Sequence, residues 1–343
     1  MIDFKVIICR DFDHMSEAAA GIVTQEISRS LRSRERFVLG LATGSTPVGL
    51  YKHLAKSANR GDFDSSRLIS FNLDEYVGLP GADPQERTLH PESYSYFMVQ
   101  ELFGLLRKKF ARTLLPAGTL IEQEKLLSEL ERFHGDWQLQ GEDNGKAVSI
   151  NSGTRSDYLR WIRREILDGY KTAIEKEGGI DLQVIGVGGR GHVGFHESGI
   201  PFEGNPMLLV QLDQNTIKNA VADGHFPSIE ESPRYAVSMG AELVFRARSV
   251  LLVANGSRKT APVAESLLGK PSCAVPISYG RTAARGGTRI IYVLDREAAA
   301  GILPEAGALR RQGIEVEDIS SQATSVKVED LKFFSDPASH RLT

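Results

Sequence analysis

Five short apolar runs in this 343-residue chain are rich in leucine or β-branched residues, and most of them precede a segment with helical spacing. They lie at residues 37–42, 68–73, 182–187, 249–255 and 288–294. Strands that are buried on both faces have this composition, and their alternation with helices is typical of parallel sheets. The sequence therefore predicts an α/β fold: a doubly wound, mostly parallel, Rossmann-like sheet with helices on both faces.

Helical spacing of apolar residues is clear at residues 15–31, where Ser16 is placed as an N-cap, and at residues 157–176. Pro47 fits the first turn of a helix that follows the first strand. A further helix is predicted at residues 94–106. These segments supply the helices that a doubly wound sheet needs.

Residues 108–154 form the least regular part of the chain. A helical piece at residues 121–133 precedes a polar stretch that is rich in glycine, asparagine and serine. We interpret this region as an insertion or mobile flap. Residues 1–343 are therefore predicted to form a single α/β domain that carries this insertion.

The composition excludes several classes of protein. Hydrophobic residues make up 41% and charged residues 25%, as in ordinary globular proteins, and the formal net charge of −3 disfavours nucleic acid as a partner. Two cysteines, Cys9 and Cys273, exclude a disulfide framework and a cysteine-rich zinc site. No apolar run is long enough to span a membrane and no leader segment is apparent, so the expected location is the cytoplasm.

Two loops at strand ends are candidates for binding an anion. The first loop contains Thr43, Gly44, Ser45 and Thr46. Its glycine lets the backbone approach an anion closely, its serine and threonine hydroxyls can donate hydrogen bonds, and a helix begins directly after it. Lys259 lies near the start of another helix, where a cation opposes the helix dipole unless an anion binds there. The first loop is not a P-loop, because no Gly-Lys-Ser/Thr follows. A plain strand–helix turn and a solvated lysine are the alternatives, but together the loops favour a phosphate site.

Two adjacent carboxylates, Asp74 and Glu75, directly follow the strand at residues 68–73. A carboxylate that is partly desolvated beside a substrate can act as a general base. The alternative is that the pair caps a helix or lies in a solvated loop.

The glycines of residues 186–191 satisfy the pattern G-x-G-x-x-G, and Asp213 lies near the spacing of a ribose-binding acid. A dinucleotide site also requires a helix that begins at the third glycine. The glycines and prolines of residues 191–206 do not permit a regular helix there, which disfavours that interpretation. His192 and Glu197 instead follow the glycines as acid/base candidates, although a lone histidine is often structural. We find no convincing metal spacing.

Together these motifs resemble the glucosamine-6-phosphate deaminase/isomerase family. The resemblance extends to about residue 295, apart from residues 108–154, and rests on the motifs at residues 42–47, 71–79, 93–98, 191–197, 233–240 and 256–259. The more distant 6-phosphogluconolactonases share the first loop and the Gly-His element but typically have arginine where Tyr76 stands. The resemblance thus implies the deaminase type of the shared fold.

The resemblance also implies roles. The substrate is an amino-hexose 6-phosphate, which undergoes aldose–ketose isomerisation with loss of ammonia, and no metal or organic cofactor is required. His192 moves the proton that opens the pyranose ring, Glu197 orients it, and Asp74 carries a proton from C2 to C1. The predicted substrate-binding residues are Thr43, Gly44, Ser45, Thr46, Glu75, Arg190, Lys218 and Lys259. A phosphosugar is the expected partner, neither nucleic acid nor a membrane is, and a homo-oligomer remains open.

Three departures from the family pattern concern the substrate. Arg190 stands where the family usually has Asp or Asn, and a guanidinium there would keep His192 neutral. His196 and Ser198 replace the usual Asn and Pro that flank the glutamate. The family's Thr-Arg motif appears here as Thr216-Ile217-Lys218. Lys218 could replace the arginine as a positive charge, but an ammonium cannot form the paired hydrogen bonds of a guanidinium.

These departures suggest a divergent deaminase for a related amino-sugar phosphate, such as galactosamine 6-phosphate. Two other functions stay open at this point. One is a non-catalytic phosphosugar sensor that keeps the pocket, and the other is a lactone hydrolase.

Overall fold

The computed structural model describes residues 2–222, 224–324 and 326–333. The strands within these ranges are β1 Phe4–Ile8, β2 Phe37–Leu41, β3 Leu68–Asn72, β4 Asp74–Val77, β5 Arg112–Leu114, β6 Trp137–Gln140, β7 Lys146–Ile150, β8 Leu182–Ile185, β9 Met207–Gln211, β10 Tyr235–Met239, β11 Ser249–Ala254, β12 Arg289–Leu294 and β13 Glu315–Asp318. All five apolar runs singled out in the sequence are confirmed as strands, namely β2, β3, β8, β11 and β12.

The helices in the same ranges are α1 Phe12–Ser30, α2 Val48–Arg60, α3 Pro84–Thr88, α4 Tyr94–Met98, α5 Gln123–Arg132, α6 Asp157–Trp161, α7 Gly169–Lys176, α8 Gln214–Ala222, α9 Ala241–Val244, α10 Thr260–Leu268, α11 Tyr279–Arg285, α12 Arg296–Ala299 and α13 Ala306–Arg311. Two π-helical segments, Val99–Phe103 and Ile162–Asp168, continue α4 and α6. No helix within the described residues combines the length and the apolar character that a membrane crossing requires.

Eight strands form one sheet in the order β13-β1-β12-β11-β8-β2-β3-β5, and every neighbouring pair is parallel. Both faces of this sheet are covered. Along β11, Val250 and Leu252 pack into one apolar cluster, whereas Leu251 and Val253 pack into the other. Since side chains alternate across a strand, each cluster lies on its own face. The predicted doubly wound sheet with helices on both faces is confirmed.

A second sheet, which the sequence reasoning did not foresee, is antiparallel and has the order β4-β10-β9-β7-β6. Leu73 joins it to the first sheet. Its N–H donates to Leu41 at the end of β2, and its carbonyl accepts from Met239 at the end of β10, over 3.0 and 2.7 Å. Asp74, the next residue, therefore lies where the two sheets meet.

Residues 108–154 contain three strands and an α-helix, more regular structure than the sequence indicated. β5 pairs with β3 at the edge of the large sheet, and β6 and β7 form a hairpin that pairs with β9. The helical piece is confirmed as α5. The strands escaped notice because β5 and β6 are short, exposed edge strands without a continuous apolar run. That this region is an insertion in a single domain stays a prediction.

The N-cap of α1 differs from the prediction. The helix begins at Phe12, and the Asp11 carboxylate accepts a hydrogen bond of 2.9 Å from His14 N. Ser16 lies one turn inside the helix and is fully buried, so the predicted serine cap is wrong. Aspartate and serine cap equally well, so residue preference alone could not choose between them. Pro47 occupies the N-cap position of α2, directly before its predicted place in the first turn, and makes no side-chain cap hydrogen bond.

Candidate active site

A cavity of about 200 Å³ opens at the carboxyl ends of β11, β8, β2 and β3, which are four neighbouring strands of the large sheet. From β2 the chain winds toward β3 and β5, whereas from β8 it winds the opposite way, toward β11 and β12. Ligands in open α/β sheets bind at this kind of reversal. The cavity is lined by Ala42, Thr43, Gly44, Ser45, Thr46, Pro47, Leu73, Asp74, Tyr94, Gly186, Val187, Gly188, His192, Gly194, Phe195 and Lys259.

The loop after β2 supplies one wall of the cavity. Gly44 has φ near +101°, a left-handed conformation that favours glycine and turns the backbone into the start of α2. The buried Tyr51 hydroxyl accepts from Ala42 N over 3.0 Å and donates to Ala42 O, which fixes the beginning of the loop. Thr46 Oγ1 donates to Asn255 Oδ1 over 2.9 Å, so this loop is tied to the one after β11.

Lys259 lies at the end of that second loop and lines the same cavity. The structure therefore brings together the two candidate anion-binding loops, in which Thr46 and Asn255 lie 209 residues apart along the chain. An ammonium group, serine and threonine hydroxyls and the N-terminus of α2 thus line one cavity. This set of donors suits a phosphate group.

Asp74 is buried at the first position of β4 and faces the cavity. Among the described residues, none donates a hydrogen bond to its Oδ1 atom. Burial, with a smaller contribution from the negative charge of Glu75, raises the pKa of Asp74 well above its usual value. A carboxyl group that lines a cavity and has a raised pKa is suited to taking and returning a proton.

Glu75 does not line the cavity. Its carboxylate is fully buried and accepts hydrogen bonds from Tyr76 N, Tyr94 N and both Ser95 N and Oγ, all between 3.0 and 3.1 Å. Burial raises the pKa of Glu75, and these hydrogen bonds oppose that rise. The predicted substrate contact is thus replaced by a contact with the start of α4, which sets the position of Tyr94.

His192 and Glu197 lie together on the loop after β8. His192 Nδ1 is 3.6 Å from Glu197 Oε2, and Thr216 Oγ1 donates to the other carboxylate oxygen over 2.8 Å. The imidazole packs on the Cα of Gly188, so closely that a Cβ there would be 1.8 Å from Nε2. His192 lines the cavity, whereas the buried Glu197 stands behind it.

His196, which replaces the family's usual Asn beside Glu197, makes structural contacts. The buried ring accepts from Ala241 N at Nδ1 and contacts Ile200 O through Nε2, each over 3.0 Å. Nε2 therefore carries the proton and donates. Burial lowers the pKa of His196 to about 4, so the ring is neutral near pH 7.

Arg190 and Lys218 do not line the cavity either. The Arg190 guanidinium contacts the carboxylates of Asp143 and Asp213. Lys218 is exposed on α8. The structure therefore gives neither residue a contact with the cavity, and the effect of the Arg190 charge on His192 stays a prediction.

Two aromatic residues of the cavity wall, Tyr94 and Phe195, were not among the predicted site residues. Their rings stack at 5.9 Å between centroids with planes 6° apart, and Tyr76 packs against both. Burial raises the pKa of the Tyr94 phenol well above its usual value. Both residues lie in motifs of the family resemblance, which was the one sequence signal that could have marked them.

The arrangement combines a phosphate-sized group of donors, a buried carboxyl group and a histidine backed by a glutamate. Such a set can anchor an anionic substrate and move protons beside a carbonyl centre. Among the described residues, no three histidine, cysteine, aspartate or glutamate side chains are grouped as metal ligands would be.

No family model matches the chain. The glucosamine-6-phosphate deaminase of Thermoanaerobacter pseudethanolicus is 33% identical over 301 residues, which cover 88% of this chain and 96% of the relative. That of Clostridium acetobutylicum is 35% identical over 274 residues, 80% of this chain and 91% of the relative.

Among solved structures, a monomeric glucosamine-6-phosphate deaminase of the NagB superfamily has a TM-score of 0.65 and 26% identity, and the match covers 87% of this chain and 99% of the other. The 6-phosphogluconolactonase of Thermotoga maritima, at a TM-score of 0.54 and 15% identity over 85% and 99% of the two chains, shares the fold.

Proposed function

The chain belongs to the glucosamine-6-phosphate deaminase family, and we propose that it converts an amino-hexose 6-phosphate into a ketose 6-phosphate and ammonia. The observation that carries this proposal is the convergence of Asp74, His192 and Lys259 on one cavity. The 6-phosphogluconolactonases share the fold at 15% identity, which supports no lactonase activity here.

The phosphate group occupies the end of the cavity formed by the loop after β2 and by Lys259. Backbone N–H groups at the start of α2 lack helical acceptors and point toward an anion. Ser45 and Thr46 add hydroxyl donors, and Thr43 and Gly44 shape the turn. The hydrogen bond from Thr46 to Asn255 keeps the two loops at a fixed separation, so the anchor is formed before the substrate arrives.

The sugar ring then extends toward His192 and Asp74. His192 accepts the proton of the anomeric hydroxyl and returns a proton to the ring oxygen, which breaks the bond between C1 and that oxygen. Glu197, 3.6 Å behind the imidazole, stabilises its protonated form during this transfer.

Asp74 removes the proton from C2 of the open-chain aldose and delivers it to C1. The carbonyl oxygen on C1 takes up a second proton and the nitrogen on C2 gives one up, which leaves a hydroxymethyl group at C1 and an imine at C2. Addition of water to this imine releases ammonia and yields the ketone. The raised pKa of Asp74 brings this carboxyl group closer to the working pH, where a general base is most effective. Its Oδ1 atom accepts no hydrogen bond from a described residue, so the carboxyl group, which lines the cavity, keeps unused hydrogen-bonding capacity.

Ammonia release from a panel of amino-sugar phosphates, including glucosamine and galactosamine 6-phosphates, tests this proposal. We expect turnover of at least one member, and no turnover by folded protein would refute it. Asp74→Asn separates an enzyme from a sensor: an enzyme loses turnover and keeps substrate binding, whereas a sensor shows no turnover in the first place. A coupled assay for lactone hydrolysis is expected to remain at background.

The proposed partner is thus a free phosphosugar rather than a nucleic acid or a membrane. A sugar phosphate is charged and does not cross a bilayer unaided, so enzyme and substrate are expected to share the cytoplasm. Size measurement in solution tests whether the chain assembles into a homo-oligomer.

A further inference from the structure

Arg190 connects three separate segments beside the catalytic loop. Its guanidinium contacts Asp143 in the turn between β6 and β7, Asp213 at the start of α8 over 3.4 Å, and Ser198 Oγ over 3.5 Å. Asp213 is buried, so its charge needs a compensating cation. We call this set of contacts the Arg190 bridge.

All three segments of the Arg190 bridge also touch Glu197. The backbone of Gly145 packs on the Glu197 side chain, since a Cβ there would lie 2.6 Å from Glu197 Cβ and Cγ. Thr216, in the first turn of α8, donates to Glu197 Oε1 over 2.8 Å. Ser198 is the next residue along the chain and is anchored by a hydrogen bond of 2.8 Å to Ala274 O.

Glu197 has little freedom between these contacts and the His192 ring, 3.6 Å away. Two carboxylates compensate the guanidinium, so it does not act as an isolated positive charge beside the imidazole. Arg190 therefore acts on the site by holding neighbouring segments in position rather than by its charge. The buried Glu197 moves if the turn at residues 141–145 or the start of α8 moves.

We propose that Arg190 is a positioning residue, which holds Glu197 in place and thereby orients His192 for the ring-opening step. The catalytic part of this inference rests on the proposed function. A residue that stands where related enzymes usually have Asp or Asn thus has a role of its own here, outside the substrate contacts.

Arg190→Gln tests the inference, with Arg160→Gln as the matched control. Arg160 is likewise paired with an aspartate, Asp157, but it lies on α6 and does not line the cavity. We expect Arg190→Gln to lower kcat by about tenfold to a hundredfold while KM stays within about twofold, because the phosphate anchor is intact. Arg190→Lys should restore part of kcat, since an ammonium can pair with one carboxylate but cannot span both.

A second measurement does not depend on turnover. In protein labelled with ¹⁵N-histidine, the ring resonances of His192, assigned with His192→Gln, should move in Arg190→Gln in the same direction as in Glu197→Gln. They should stay in place in Arg160→Gln. Wild-type kcat together with unmoved His192 resonances in Arg190→Gln would overturn the inference. If wild-type protein turns over no amino-sugar phosphate, the proposed function fails, and the resonances alone still decide whether Arg190 positions Glu197 and His192.

Discussion

Replacing Gly188 by alanine should abolish most activity without weakening the fold. The added Cβ would lie 1.8 Å from His192 Nε2, whereas non-bonded atoms settle at about 3.5 Å. The imidazole must therefore move by roughly 1.7 Å, the difference between these two separations. The backbone of Gly188 lies outside the left-handed region, so alanine fits it without strain.

A displacement of about 1 Å in a reacting group can lower a rate by about a hundredfold. We therefore expect kcat of Gly188→Ala to fall by at least about a hundredfold. KM should change by less than about threefold, because the phosphate anchor at Thr46 and Lys259 lies on other loops and is untouched. The free energy of unfolding should change by less than about 1 kcal/mol, since only a side chain has to move.

Initial rates of ammonia release and urea denaturation measure the two effects. Gly189→Ala is the control, because it lies on the same loop, avoids the left-handed region and has no atom within 4 Å of an added Cβ. The reasoning is refuted if Gly188→Ala retains wild-type kcat. It is equally refuted if Gly189→Ala loses as much activity, since the contact with His192 would then not be the cause.

Three further changes address other parts of the molecule. The pKa of histidine is near 6.5 in an unfolded chain and about 4 for folded His196, so the unfolded state binds the proton more tightly and acid favours unfolding. Through this residue the free energy of unfolding should fall by about 2 kcal/mol from pH 7 to pH 5. Urea denaturation of His196→Asn should show a pH dependence that is smaller by this amount. Glu75→Gln places an amide against backbone donors such as Tyr94 N and should lower the free energy of unfolding by about 1–3 kcal/mol, so an unchanged urea midpoint would contradict it. Lys259→Gln should raise KM by about tenfold or more with little change in kcat, and a loss confined to kcat would show that the ammonium serves chemistry rather than binding.

The sequence predicts the large sheet because its central strands are buried on both faces. A strand such as β11 must then be apolar at every buried position, and such a run can be recognised in the sequence without knowing which strands lie beside it. The edge strand β6 of the antiparallel sheet was not predicted, because it has no such apolar run. β6 is half-buried at its two ends and exposed at the two positions between them, and neither its length nor its composition separates it from a loop.

The candidate site likewise has a part that the sequence predicts and a part that it does not. Asp74 and the loop that contains Gly44 directly follow apolar runs, and His192 follows another run after a short glycine-rich segment, so the general rule for strand carboxyl ends already placed them together. The contacts of Arg190 could not be found in this manner. Asp143 and Asp213 lie 47 and 23 residues away along the chain, and a single sequence carries no signal for ion pairs over such separations.

The first strand of the chain receives its partners last. β1 lies between β12 and β13, and among the described strands it pairs with these two alone. During synthesis at the ribosome, Phe4–Ile8 must therefore wait as an unpaired apolar segment until Arg289–Leu294 has emerged. In a chain that stops before β12, the edges of β1 and β11 that pair with β12 in the complete sheet stay open. Another incomplete chain could add a strand at either edge. Chaperone dependence, or aggregation of truncated products, is thus expected for chains that stop before β12.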